Sequence, residues 1–468
     1  MLIHHIGENK ARDLLDSIQG PLSSENRQRL AIELAEYLLQ AVQEDMSLEE
    51  RKKSKKRSGL MRDLQARHLL VALADQALRS RNSARVADQI QYLLRRYPLS
   101  TAFSWWDRFQ LSLFRLLGRP FSSFSVPLFT KTMMREMSDV LIEEEKFPGV
   151  IKELNALGIH VNAHFLGEAI LGEKEASRRR DHYQKAMTDP RIEHLSIKIS
   201  SIFSQIHLLA WEETVEQLSS RLISLFQAAF AGRLLTSNQQ TIHLSSPSPL
   251  SSPLMGEDMI FDNGLIDLWR SAATREKSIT LDMEGYSDLC LTVAAFKKAL
   301  EHPELQNTIG GIALQAYLPD SFEVLKELTE WARKRVHNGG APIFVRVVKG
   351  ANLSMEQIEA ATKGWPMAPY SQKWETDANF KRMVEFACHP DHASAVHIGI
   401  GSHNILDIAY TLILRKEHRL ENTVRFEMLT GMAPALSRVV NRLSGNLLLY
   451  CPVAAHTCLL YTSPSPRD

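Results

Sequence analysis

After residue 150 the sequence alternates short apolar, β-branched runs with longer amphipathic stretches, and this alternation constrains the fold more than any other feature. Eight runs stand out: 159–165 (IHVNAHF), 193–199 (EHLSIKI), 278–284 (SITLDME), 309–315 (IGGIALQ), 342–347 (PIFVRV), 394–400 (SAVHIGI), 423–428 (TVRFEM) and 446–450 (NLLLY). Strands separated by helix-length segments pair in parallel, and eight is the number that closes on itself. The predicted fold class is α/β, a (βα)8 TIM-like barrel. Barrel chemistry sits where strands end and loops begin. That rule gathers Lys198, Asp282, Glu284, Gln315, Arg346, Lys349, His403, Glu427 and Tyr450 around one mouth.

The first 150 residues read differently. Segments such as NRQRLAIELAEYLLQAVQ and DLQARHLLVALADQALRS carry apolar residues at spacings of three and four, which predicts an all-helical arm and α-domain over 1–150. The basic run RKKSKKR (51–57) reads as a solvated helix face or linker, and FSWWDRFQLSLF (103–114) as the core of a helical arm. The barrel is expected over 151–456, with a disordered Ser/Pro-rich insertion at 237–258. A helix should follow the eighth strand, yet Pro464 and Pro466 would break one, so 457–468 (TCLLYTSPSPRD included from 457) is expected to be a non-native tail.

Composition removes several functions. Lys plus Arg (55) nearly balances Asp plus Glu (54), so no global field recruits nucleic acid or an acidic membrane. Four cysteines without a C-x-x-C pair point to a reducing, cytoplasmic compartment. No apolar run approaches the roughly 18 residues of a membrane span, so membrane contact is expected to be peripheral, on the inner face of the cytoplasmic membrane. Metalloprotease, nucleophile-elbow, P-loop and Rossmann motifs are all missing, and no metal is expected.

The remaining motifs describe a ligand site. In VRVVKGA (345–351) a strand delivers Arg346, a planar fork for an anion or electron-rich ring, while Gly350 permits close backbone approach. Gln315 in LQAY can read a heterocycle edge or be a surface amide. GSHN (401–404) can bind phosphate at a helix N-terminus or simply cap that helix. Charged residues recurring after separate strands (Glu168, Lys198, Asp282, Glu284) suit a zwitterionic or anionic substrate.

Taken in order, FLGEA, SIKIS, ITLDMEGYSD, GIALQAY, VRVVKGAN, IGSHN, RFEMLTGM and LLYCPV resemble the proline dehydrogenase domain of the bifunctional flavoenzymes called proline utilization A, over about residues 110–456. The resemblance implies FAD at the C-terminal face of the barrel, oxidation of L-proline to Δ1-pyrroline-5-carboxylate by hydride transfer, and a membrane quinone as electron acceptor. It implies that Arg346 sits beside the flavin N5, that Lys349, Gly350 and Ala351 line the cofactor, and that Gln315 reads the isoalloxazine edge. Ser402, His403, Asn404, Glu427 and Leu429 would hold the ribityl, pyrophosphate or adenosine portions. Lys198 would bind the proline carboxylate, Asp282 would order the polar network, and Tyr450 would pack over the proline ring. Glu168 would pair with an arginine of the final helix.

One departure stands out: the arginine pair that the family carries after the segment matching LLYCPV has no counterpart in AAHTCLLYTSPSPRD. Weak or absent proline turnover is the expectation. An aldehyde dehydrogenase half is expected beyond residue 468, and DNA binding is not expected, because no short strand of a ribbon-helix-helix precedes the first helix. Two alternatives remain open: an inert FAD-binding fragment, and a phosphate-handling barrel lyase or isomerase with Lys198 as a Schiff-base lysine.

Overall fold

A computed structural model of the chain describes residues 5–77, 80, 82–137, 140–166, 170, 172–244 and 277–454. The expected strands form at their predicted places. Strand β1 (Ile142–Glu143) is a short outlier, and the barrel itself consists of β2 (His160–Phe165), β3 (His194–Lys198), β4 (Ser278–Asp282), β5 (Gly310–Gln315), β6 (Ile343–Val348), β7 (Val396–Gly401), β8 (Val424–Leu429) and β9 (Leu447–Ala454). All neighbours are parallel, in the order β2 to β9, and β9 pairs with β2 to close the ring while β1 extends the far end of β9. Parallel strands are covered on both faces, which is why IFVRVV and VHIGIG read as nearly unbroken apolar runs. The last strand runs four residues beyond Tyr450, because it pairs over six positions with β2 and then with β1.

Along each strand, alternate side chains enter the barrel. The inward set is polar at period two: Asn162 and His164, Ser196 and Lys198, Thr280 and Asp282, Arg425 and Glu427. The outward set is aliphatic and packs beneath the helices, with Leu195, Ile197, Ile279, Leu281, Val345 and Val347 fully buried.

The helical N-terminal region divides by its packing. Helices Ile6–Asp16 and Ser24–Asp45 contribute Ala11, Leu14, Leu34 and Leu38 to the barrel's own apolar core. They dock on helices Ile405–Glu417 and Pro434–Ser444 through ion pairs: Arg27 to Glu417 at 2.7 Å, Arg438 to Asp45 and Glu50, Arg442 to Glu8. From residue 60 to 126 a separate apolar cluster forms around Leu69, Ile90, Leu93 and Phe114.

Three sequence expectations need correction or placement. Helix Trp105–Leu117 buries Phe114, but Trp105, Trp106, Phe109 and Leu116 are exposed rather than core, since apolar residues surround this helix and its one packed face takes only part of them. Residues 237–244 (SNQQTIHL) continue the helix Trp211–Leu244 instead of opening a disordered insertion, as the first proline comes only at Pro247. The rest of that stretch, from 245, and the expected non-native tail lie outside the described residues. Among the described residues no helix is long and apolar enough to cross a membrane.

Candidate active site

Arg346 occupies the centre of the barrel mouth. It points inward from β6 and is 4 % exposed, so its charge must be met by fixed partners. Nη1 donates to Asp282 Oδ1 at 2.6 Å and to Ser196 Oγ at 3.1 Å, while Nε donates to Glu427 Oε2 at 2.5 Å. Burial works against the cation, but Glu427 and Asp282 outweigh it and hold the guanidinium pKa above its ordinary value. A cation between two carboxylates carries a net negative charge, which Arg425 relieves by donating to the other oxygen of Glu427 at 3.2 Å. Arg346 Nη2 is left buried without a partner.

The space for this trio is provided by a glycine. Gly399 of β7 stands opposite both Arg346 and Arg425 in register. A Cβ there would fall 2.5 Å from Glu427 Oε1 and from Phe344 Cζ. Any side chain at 399 would push the carboxylate off the arginines. Glu427 thus engages an arginine with each of its oxygens.

Asp282 links this trio to a flat wall. Tyr450 Oη donates to Asp282 Oδ2 at 2.9 Å, and the Tyr450 ring stacks on His164 with centroids 5.2 Å apart. Burial, reinforced by Asp282, holds the Tyr450 hydroxyl well above its ordinary range, so it remains a donor. Burial likewise depresses His164 and favours the neutral ring. Beside them Lys198 faces Glu284 at 3.4 Å and is two-fifths exposed, the surroundings of a solvated ion pair rather than of the desolvated amine a Schiff base needs.

The other expected residues line the rim between β5 and β8. Gln315 Nε2 donates to Met283 O at 3.4 Å, leaving Oε1 buried and unsatisfied. Lys349 binds Asp377 at 2.6 Å and Asp407 at 2.8 Å, and these carboxylates raise its pKa against the effect of burial. Gly350 follows with φ +118°, where a Cβ would meet the Tyr317 ring at 2.6 Å, so the chain turns here only as glycine. Ala351 is exposed. In GSHN, Asn404 is the helix N-cap, its Oδ1 accepting from Leu406 N and Asp407 N, while Ser402 Oγ donates to Asp407 and accepts from Asn404 N. His403 differs. Its Nε2 accepts from Leu429 N at 2.9 Å, which assigns the proton to Nδ1, and that N–H is buried without a partner. Burial pushes its pKa down to about 4. Glu168 lies outside the described residues.

The mouth therefore presents unsatisfied buried donors (Arg346 Nη2, His403 Nδ1) and acceptors (Gln315 Oε1, Glu284 Oε2) on separate strand ends. Orphaned buried polar atoms are rare in folded chains, and four around one opening describe a polar ligand. The profile of the proline dehydrogenase family matches residues 149–461, well over half of the sequence. The chain belongs to the proline dehydrogenase family. Among solved structures of proline utilization A proteins, that from Corynebacterium freiburgense is 32% identical with a TM-score of 0.58, covering 77% of this chain and 33% of its own. The Bdellovibrio bacteriovorus protein, inactivated by N-propargylglycine, is 22% identical with a TM-score of 0.68, covering 93% of this chain and 40% of its own. A mutant of the Bradyrhizobium japonicum protein, at 19% identity, shares the fold with a TM-score of 0.57, covering 97% of this chain and 44% of its own. The chain thus spans well under half the length of these relatives. No curated protein matches it.

Several residues of the mouth were missed in the sequence. His164, Ser196 and Arg425 each lie two positions before a residue the sequence singled out or at a strand end, on the same inward face; polar side chains at period two within an apolar strand were the available signal. Asp377 and Asp407 carried no such signal, because they reach Lys349 from two separate helices.

Proposed function

We propose that this chain is the proline-oxidising part of a proline utilization A protein, binding FAD in the barrel mouth and converting L-proline to Δ1-pyrroline-5-carboxylate. The observation that carries the reading is Arg346, buried, locked by Asp282 and Glu427, and holding one guanidinium nitrogen in reserve. The donor set fits the cofactor: a flavin edge offers both N–H and C=O groups to Gln315 and Arg346, and a pyrophosphate accepts from the His403 Nδ1–H. Bound FAD supplies the hydride acceptor, and a quinone would take up the electrons afterwards.

The chain's own residues position and neutralise. Arg346 holds a fixed positive charge where electron density accumulates during reduction, and its two carboxylate partners stop it from swinging toward the substrate. The stacked His164–Tyr450 pair provides a flat wall for a five-membered ring. Lys198 offers an ammonium to a carboxylate, and Glu284 Oε2 an acceptor to a secondary ammonium. The proton lost by the proline nitrogen can go to solvent.

The test is the visible spectrum of the purified chain after addition of FAD, before and after anaerobic L-proline. Tight binding of about one FAD per chain and bleaching by millimolar proline are expected. A chain that stays colourless would overturn the cofactor assignment; a bound flavin that proline never bleaches would select the inert FAD-binding reading. The relatives' greater length supports a fused aldehyde dehydrogenase half that consumes the product, and peripheral contact with the cytoplasmic membrane would bring the quinone within reach.

A further inference from the structure

The opposite end of the barrel carries a second cluster of ligating side chains. β2 opens on His160, β3 opens on His194, and Glu193 immediately precedes it. Each of the three offers a ligand atom within 4.8 Å of the other two. His160 Nδ1 already meets Glu193 Oε2 at 2.9 Å. His194 Nδ1 is held by Ser278 Oγ at 2.8 Å, which fixes the ring and leaves Nε2 for an ion. Such outer hydrogen bonds are what orient a metal-binding imidazole. Burial above all, then Arg425 and His160, keep His194 neutral by pulling its pKa well below the usual range. Glu193 is almost fully buried, whereas the His160 side chain is half exposed, so the cluster has one open side toward solvent.

From this arrangement we propose that His160, Glu193 and His194 form a zinc site on the floor of the barrel, with a water molecule as fourth ligand. Two imidazoles and one carboxylate are a donor set that tetrahedral Zn2+ takes readily. Ligand atoms around such an ion stand about 3.4 Å apart, so His160 and Glu193 must part slightly from 2.9 Å while separations of up to 4.8 Å close, and the exposed His160 has the freedom to adjust. The entering ion displaces the proton between His160 Nδ1 and Glu193, which passes by solvent exchange to Nε2 of the same ring, so the imidazole stays neutral and no oxidation state changes. Arg425, Arg346 and Lys277 are opposing charges within reach, and each is engaged: Arg425 by Glu427 and 3.7 Å over the Phe344 ring, Arg346 by Asp282 and Glu427, and Lys277 by the carbonyls of Met187, Asp189 and Ile192. The role is structural: the ion ties the starts of β2 and β3 together, at the barrel end opposite the mouth. The linear sequence hides the site because its ligands are 33 residues apart on neighbouring strands.

The experiment titrates Zn2+ alone into the chelator-treated full chain, reading bound metal by equilibrium dialysis and the thermal midpoint by circular dichroism. About one tight equivalent and a raised midpoint are expected. H160A and E193Q should each weaken binding by about tenfold or more and abolish the rise, while the exposed control H389A changes neither. The metal-free midpoint of each variant reads its folding separately. X-ray absorption of the zinc-loaded wild-type chain should show two imidazoles per ion. No tight equivalent, undiminished binding in H160A and E193Q, or fewer than two imidazoles per ion overturns the proposal.

Discussion

The two ends of the barrel solve the same problem in opposite ways. Both present polar side chains inward at period two, and both must compensate for removing them from water. At the mouth the solution is full charge, with Arg346 between Asp282 and Glu427. At the floor it is neutral imidazole: burial depresses His194 and His397 alike, with Arg425 adding to the effect on both. Charge is concentrated at the mouth, where a charged organic ligand has to be met, and the floor relies mainly on imidazoles, with Glu193 the carboxylate among them. The contrast assigns different sensitivities to the two ends.

The sharpest test is Arg346→Met. It leaves Asp282 and Glu427 facing each other in a buried site, which should cost about 3–5 kcal/mol in urea unfolding and abolish flavin binding. A variant as stable as the wild type would mean that the mouth's charges are solvated after all. Next comes acidification. His403 has a folded pKa of about 4 against roughly 6.5 when unfolded, so the unfolded chain binds the extra proton first. Stability should be unaffected by this group above pH 7, fall by about 1–3 kcal/mol between pH 6.5 and 4, and level off below; H403N, whose amide can still accept from Leu429 N, should flatten that part of the profile. A smaller effect is expected for Tyr450→Phe, which removes the donor to Asp282 at a cost of about 1 kcal/mol and slows bleaching by proline more than it weakens FAD binding. Smallest is Ser278→Ala on the floor, which frees His194 Nδ1 for about 0.5 kcal/mol and leaves the flavin spectrum unchanged. If Ser278→Ala disturbed the flavin, the two ends would be coupled and the contrast would fail.

Much of this was legible in advance because parallel strands announce themselves. The continuous apolar runs set β5 to β8 within two residues, and the rule that barrel ligands gather at strand ends brought Arg346, Asp282, Gln315 and Tyr450 to one opening. Partners that approach from another element were not legible: Asp377 and Asp407 on Lys349, or the space that Gly399 leaves for Glu427. Nor was the exposure of Trp105 and Trp106, since an apolar helix declares how much it could bury but not how much neighbouring surface exists to cover it.

The docking of Arg27 on Glu417 spans 390 positions of sequence. The helices nearest residue 1 therefore find their resting place only after the sixth barrel strand and the helix behind it have emerged. At roughly 5–20 residues per second, the apolar faces of Leu34 and Leu38 wait on the order of twenty seconds or more for their cover, an interval in which a nascent chain depends on chaperones. The order of synthesis, as much as the final packing, thus decides how much of this protein reaches its native state.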